Sequence, residues 1–260
     1  MLMKQLRTLG IAVCLANQCT TDAVAPMPTG NWPKSQGNVK YPAPKVIPAK
    51  TVFDGGMKTY ERSDISCKEN QEGGKSGALF ILKAGATLQN VIVGPRQQDG
   101  VHCEEHDCTI KNVWWADVCE DALSIIGGSA NSVSNVIGGG AKLANDKIIQ
   151  HNGPGTVNIE GFYAEDFGKL YRSCGKCKTQ YPRAVKLTNI YAVDPKVTVV
   201  AVNSNYNDKA TLTNVKIDKA SKNKPVCEYT KGSTNAEPSV LGKGPSGSVC
   251  NYKTSTVTYV

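Results

Sequence analysis

One short string, apolar–polar–Asn–apolar, returns six times along the middle of this chain. It stands in "ATLQNVIV", "CTIKNVWW", "NSVSNVIG", "TVNIEGFYA", "AVKLTNIYAV" and "ATLTNVKI". Its marker falls at Asn90, Asn112, Asn135, Gly161 (in place of Asn), Asn189 and Asn214, in steps of 22, 23, 26, 28 and 25 residues. A period of that size means stacked units, none of which buries its apolar face alone. The leucine pattern of leucine-rich repeats is missing. Val, Ile, Thr, Gly and Asn dominate, and no long stretch has helical spacing, so the chain is expected to be all-β. These features together predict a single-stranded right-handed parallel β-helix. Asn suits its tight corners because it tolerates left-handed dihedrals, and stacked amides can bond from coil to coil.

A solenoid turns sequence distance into spatial distance, since equal phases in successive coils lie roughly 4.8 Å apart. Asp99 lies nine residues after Asn90 and Asp121 nine after Asn112, while Lys147 lies twelve after Asn135 and Arg172 eleven after Gly161. Two acids and two bases are therefore expected along one edge. The chain is basic, with formal net charge +8, yet seven acids crowd residues 99–121 against a single Lys111. Stacked carboxylates repel unless a cation sits among them. Asp99, Glu120 and Asp121 are hard oxygen donors of the kind Ca²⁺ takes, with water or an acidic ligand completing the shell. Glu104, Glu105 and Asp107 are read as solvated surface acids. Lys147, Lys169 and Arg172 beside such a cluster make a receptor for polyanions.

The ten cysteines, with spacings such as Cys103/Cys108, Cys174/Cys177 and Cys227/Cys250, read as staples made in an oxidising compartment. Residues 1–25 resemble a secretory signal peptide, and any cut after Cys19 leaves eight cysteines, whose pairing has 105 possibilities. Secretion is expected. No apolar run spans a membrane, and no nucleic-acid module is found, so neither partner is expected; a monomer is. Residues 26–50 read as a Pro-rich lead-in, 51–260 as the β-helix domain, and 220–250 as a long loop closed by Cys227 and Cys250. Cys174-Gly-Lys-Cys177 lacks the partner pair of a zinc site and the βαβ setting of a redox motif, which leaves a structural disulfide. His102 and His106 flank Cys103, a transition-metal pattern set against ordinary loop histidines. Of Trp114 and Trp115, adjacent in a strand, one is expected to fill the core.

"DGVHC", "NVWWADVCEDAL", "GGGAKLANDKIIQHNG" and "AEDFGKLYRSCGKC" resemble polysaccharide lyase family 3, the small pectate lyases. The resemblance runs from about Val52 to about Val202 and continues more loosely to the end. It implies a right-handed parallel β-helix, secretion, calcium dependence and cleavage of polygalacturonate (pectin) by β-elimination. It implies calcium ligands at Asp99, Glu120 and Asp121, an essential lysine at Lys147, and cleft cations at Lys169 and Arg172. Where the family often has Lys after "EDAL", this chain has Ile126, which bears on affinity or substrate preference.

Chemically, the C5 proton of galacturonate is acidified when its carboxylate is neutralised. Lys147 is the expected base, made less basic by nearby Ca²⁺ and cationic neighbours, and Arg172 is the alternative; both predict an alkaline optimum. Two other functions fit parts of the pattern. One is a pectin hydrolase using Glu120 and Asp121 as its carboxylate pair. The other is a non-catalytic binder of acidic polysaccharide.

Overall fold

The computed structural model describes residues 23–68, 71 and 73–260. Most of the expected signal segment, with Cys14 and Cys19, lies outside the described residues. The rest forms an all-β, parallel β-solenoid of about six turns. Each coil is a set of short strands bent at corners. Strands at the same phase pair in parallel, as Thr87–Val93 does with Thr109–Trp115 and Asp99–Cys103 with Asp121–Ile125.

Alternation explains the core. Leu88, Ile110, Val136, Ile159, Leu187 and Leu212 occupy one register position in six successive coils. All six are buried. Val101, Leu123, Ile149, Tyr171 and Val200 form a second such column. Removing one of these aliphatic side chains leaves a cavity, and Leu→Ala there costs about 2–5 kcal/mol. Trp115 fills the core between them at 1% exposure. Trp114 points the other way, edge-on to Trp32 with ring centroids 5.0 Å apart.

The corners carry the sequence marker, with one correction. Asn90, Asn112, Asn189 and Asn214 all have φ between 52° and 56°. Asn135 does not belong to this row; it pairs with Thr109. Gly138, at φ 67°, holds the corner, followed by Gly161 at φ 63°. The asparagines bond as a ladder: Asn112 Nδ2 donates to Asn90 Oδ1 at 2.9 Å and Asn214 Nδ2 to Asn189 Oδ1 at 2.6 Å. Gly161 is required because the N-terminal strand of chain passes over it. A Cβ there would lie 2.8 Å from Ala25 Cβ and 2.8 Å from the Pro26 oxygen.

The stretch expected to be a lead-in is thus part of the fold. It runs as a strap down the Asn row: Ala25 oxygen accepts from Asn189, Trp32 packs on Trp114, and Gln36 bonds Met57. Strands Asn38–Tyr41 and Lys45–Ile47 then join the solenoid. At the other end, the stretch read as a loop contains a hairpin: Cys227–Lys231 pairs antiparallel with Ser239–Lys243. Among the described residues four disulfides hold the coils, Cys67–Cys119, Cys103–Cys108, Cys174–Cys177 and Cys227–Cys250. Three are the sequence-close pairs expected. No helix among the described residues is long and apolar enough to cross a membrane.

Candidate active site

The strands from Ala78–Leu82 to Cys227–Lys231 lay three rows of side chains across one face. In the first row Lys147 aligns with Asp121 on one side and Lys169 on the other. Asp99 stands level with Asp121, because two residues on Val101 pairs with Leu123. The second row is His102, Ser124, Gln150 and Arg172. Glu104, Ile126, Asn152 and Cys174 follow. These rows line a cleft of about 820 Å³, with Lys169 in a smaller adjoining cavity of about 250 Å³.

The register corrects one expectation. Lys169, not Arg172, is level with Lys147; Arg172 lies three residues further, opposite Gln150. A bulge between Ala144 and Lys147, and another between Phe167 and Lys169, shift the count. Arg172 nevertheless faces the same cleft.

Lys147 is the centre of the charge cluster and is 5% exposed. Its ammonium lies 2.6 Å from Glu120 Oε1, 2.9 Å from Asp121 Oδ1 and 3.2 Å from Asp146 Oδ2. Burial works against that charge, but Asp121, Glu120 and Asp146 outweigh it and hold the ammonium well above the usual lysine range. The sequence expectation of a weakened base concerned Lys147 beside bound Ca²⁺ and cations; in the arrangement described the three acids set the sign. Burial pushes the Asp121 carboxyl far up from the ordinary range, against the pull of Lys147.

Asp146, singled out by no motif, ties the cations together. It lies 2.8 Å from Lys169 and 3.7 Å from Arg172 as well as beside Lys147. Burial raises its carboxyl, yet Lys147, Lys169 and Arg172 hold it at about 2. Its signal was present in the sequence as the residue before Lys147 in "NDKIIQ". His102 is held between Asp99 at 3.2 Å and Glu104 at 3.3 Å, and Lys75 reaches Glu104 at 3.2 Å. Burial pulls the imidazole down, and the two carboxylates produce a net rise. Glu104 is therefore part of the cleft and not a solvated surface acid. Glu105 and Asp107 are both exposed, as the surface reading has them. Asp107 accepts from the Val133 N–H at 2.7 Å, and Glu105 pairs with Lys83. His106 turns inward to His151, 3.3 Å away, so the two histidines flanking Cys103 share no site.

As arranged, no three His, Cys, Asp or Glu side chains among the described residues converge as a metal cluster. Lys147 takes the middle of the acids. Two buried oxygens nonetheless lack a hydrogen bond. Asp121 Oδ1 lies near the ammonium but off the line of a hydrogen bond, and it and Asp99 Oδ1 are buried with no hydrogen-bond partner. Hard carboxylates lining a cleft suit Ca²⁺. Asp99, Glu120 and Asp121 thus fit the ion by donor chemistry.

Known proteins resemble this one in sequence and in shape. A family model described as pectate lyase matches residues 29–237. Pectate lyase H of Emericella nidulans is 49% identical over 232 residues, 88% of this chain and 86% of that protein. Pectate lyase E of the same organism is 48% identical over 222 residues, covering 85% and 83%. Pectate lyase PelI from Erwinia chrysanthemi superposes with a TM-score of 0.70 at 30% identity, over 87% of this chain and 71% of that one. The same enzyme in complex with tetragalacturonic acid superposes with a TM-score of 0.69 at 30% identity, covering 86% and 69%.

Proposed function

The chain belongs to the pectate lyase family, and from that premise we propose that it is a secreted, calcium-dependent enzyme cleaving polygalacturonate by β-elimination. Pectate lyase activity follows from the family and its relatives. The substrate is proposed from the tetragalacturonic acid complex of the Erwinia chrysanthemi enzyme. Secretion is proposed from the N-terminal segment and agrees with four disulfides. The monomeric state is likewise a proposal.

The observation that carries the mechanism is the row itself: acids and bases from separate coils meet in one cleft. Asp99, Glu120 and Asp121 would hold Ca²⁺, which when bound neutralises the uronate carboxylate and acidifies the adjoining C5–H. Lys169 and Arg172 orient that carboxylate and add positive charge beside it. Lys147 is the proposed base for the C5 proton, with Arg172 the alternative. In the arrangement described, Lys147 is the counter-charge of the acids. It acts as a base only in a state where Glu120 and Asp121 no longer face its ammonium. Loss of the C5 proton expels the C4 oxygen and leaves an unsaturated sugar end. Ile126 places no cation where the family often has lysine, which bears on affinity or ester preference.

The test is to follow the ultraviolet absorbance of unsaturated ends from polygalacturonate, with and without a chelator. The lyase reading expects absorbance that the chelator abolishes. Reducing ends without absorbance would mean hydrolysis, and neither product would mean a binder.

A further inference from the structure

The Arg172 guanidinium has a carboxylate on each side. Asp146 Oδ2 lies 3.7 Å from Nη1 and Glu237 Oε2 lies 3.5 Å from Nη2. The other Glu237 oxygen accepts from Lys176 at 2.7 Å. The two acids differ in how they are held. Asp146 is shared by three cations, whereas the Glu237 side chain is 70% exposed and is held by only two.

Glu237 does not come from the coil lattice. It sits on the connection of the antiparallel hairpin, between Cys227–Lys231 and Ser239–Lys243. That connection is fixed at its base. Asn205 and Gly232 exchange two hydrogen bonds, and the Ser233 N–H donates to the Gly175 oxygen. Pro238 packs so closely on Gly175 that a Cβ there would lie 2.3 Å from the proline Cγ. The hairpin thus delivers an acid to the edge of the cleft, where Glu237 borders both cavities.

We propose that Glu237 is a built-in competitor for the uronate: it occupies the cations Arg172 and Lys176, and an acidic sugar must displace it to bind there. This rests on the proposed reading that Arg172 meets the substrate carboxylate. The exchange is one carboxylate for another, so it leaves the ion-pair count unchanged. A methyl-esterified sugar brings no charge to exchange, so Glu237 also weighs against esters at this position. Exposed ion pairs are weak, so the effect on affinity is about threefold.

The experiment measures tetragalacturonate binding by calorimetry, with chelator present, for wild type, Glu237→Gln and Glu105→Gln. Glu105 is an exposed acid outside the cleft, so its variant controls for net charge. The proposal expects Glu237→Gln to bind about threefold tighter at low ionic strength, with the gain vanishing at high salt. Glu105→Gln should match wild type. Equal or weaker binding by Glu237→Gln overturns the proposal, as does equal tightening in both variants. The lyase reading is judged separately by unsaturated ends from polygalacturonate, which need not change if this proposal fails.

Discussion

Two polar rows run along this solenoid, and they follow opposite rules. The corner row of Asn90, Asn112, Asn189 and Asn214 is neutral, and its amides bond one another from coil to coil. The cleft row of Asp99, Asp121, Lys147 and Lys169 is charged and, save for half-buried Lys169, buried, and it keeps two carboxylate oxygens without hydrogen-bond partners. The same lattice therefore makes structure where a row satisfies itself and a reactive site where it does not. Evolving a site on such a scaffold needs no new fold, only polar groups at one phase whose partners must come from outside.

Substitutions in each row sharpen that contrast. The largest effect belongs to the cleft. Lys147→Ala is expected to lower turnover on polygalacturonate by about 10²–10⁴-fold, the range of a lost general base. Steady-state release of unsaturated ends checks it, and full retained activity would remove Lys147 from the role. Asn112→Ala should do the reverse. It loses the bond to Asn90 and the one from Trp114 Nε1, and it puts alanine at φ 52°. Stability is expected to fall by about 2 kcal/mol in denaturant titration, with turnover within about twofold of wild type.

A third polar group lies inside the coils and tests whether burial without charge is tolerated. His106 and His151 face each other, with Ser134 and Tyr171 at the far ring nitrogens. Burial holds both imidazoles below the ordinary range, His151 far below. Each is neutral when folded and binds a proton more readily when unfolded. Their contribution is therefore present above about pH 6.5 and is lost as pH falls below it. Unfolding midpoints should drop between pH 7.5 and pH 5, and less so in a His106→Gln variant. The smallest effect is expected at the exposed pair Lys83–Glu105, where Glu105→Ala should change stability by less than about 0.5 kcal/mol and leave turnover alone.

Much of this was legible in the chain. The corner asparagines announced the period because left-handed corners select Asn and Gly. Asn135 misled because "SNVI" copies the marker string three residues before the true corner, Gly138. With Gly138 in place, Asp99, Asp121 and Lys147 each lie nine residues past their corner, and Lys169 lies eight past Gly161. Counting from Asn135 put Lys147 twelve past its corner, so Arg172, eleven past Gly161, was placed beside it; the irregularity before Lys169, which has no side-chain signature, accounts for its count of eight. The neighbourhood of Lys147 was hidden for a different reason: whether three acids or a set of cations dominate depends on distances that spacing does not carry. Glu237 was invisible because its hairpin runs antiparallel to the repeat and obeys no period.

The central claim is that the cleft carboxylates are kept for a ligand from outside and not for the fold. The most direct measurement is the thermal midpoint of wild type and Asp121→Asn as calcium is added. A ligand that binds only the folded state raises the midpoint as its concentration passes its dissociation constant. The account predicts a rise with calcium in wild type and none in Asp121→Asn. A midpoint indifferent to calcium in wild type, or one that rises equally in both proteins, would contradict it.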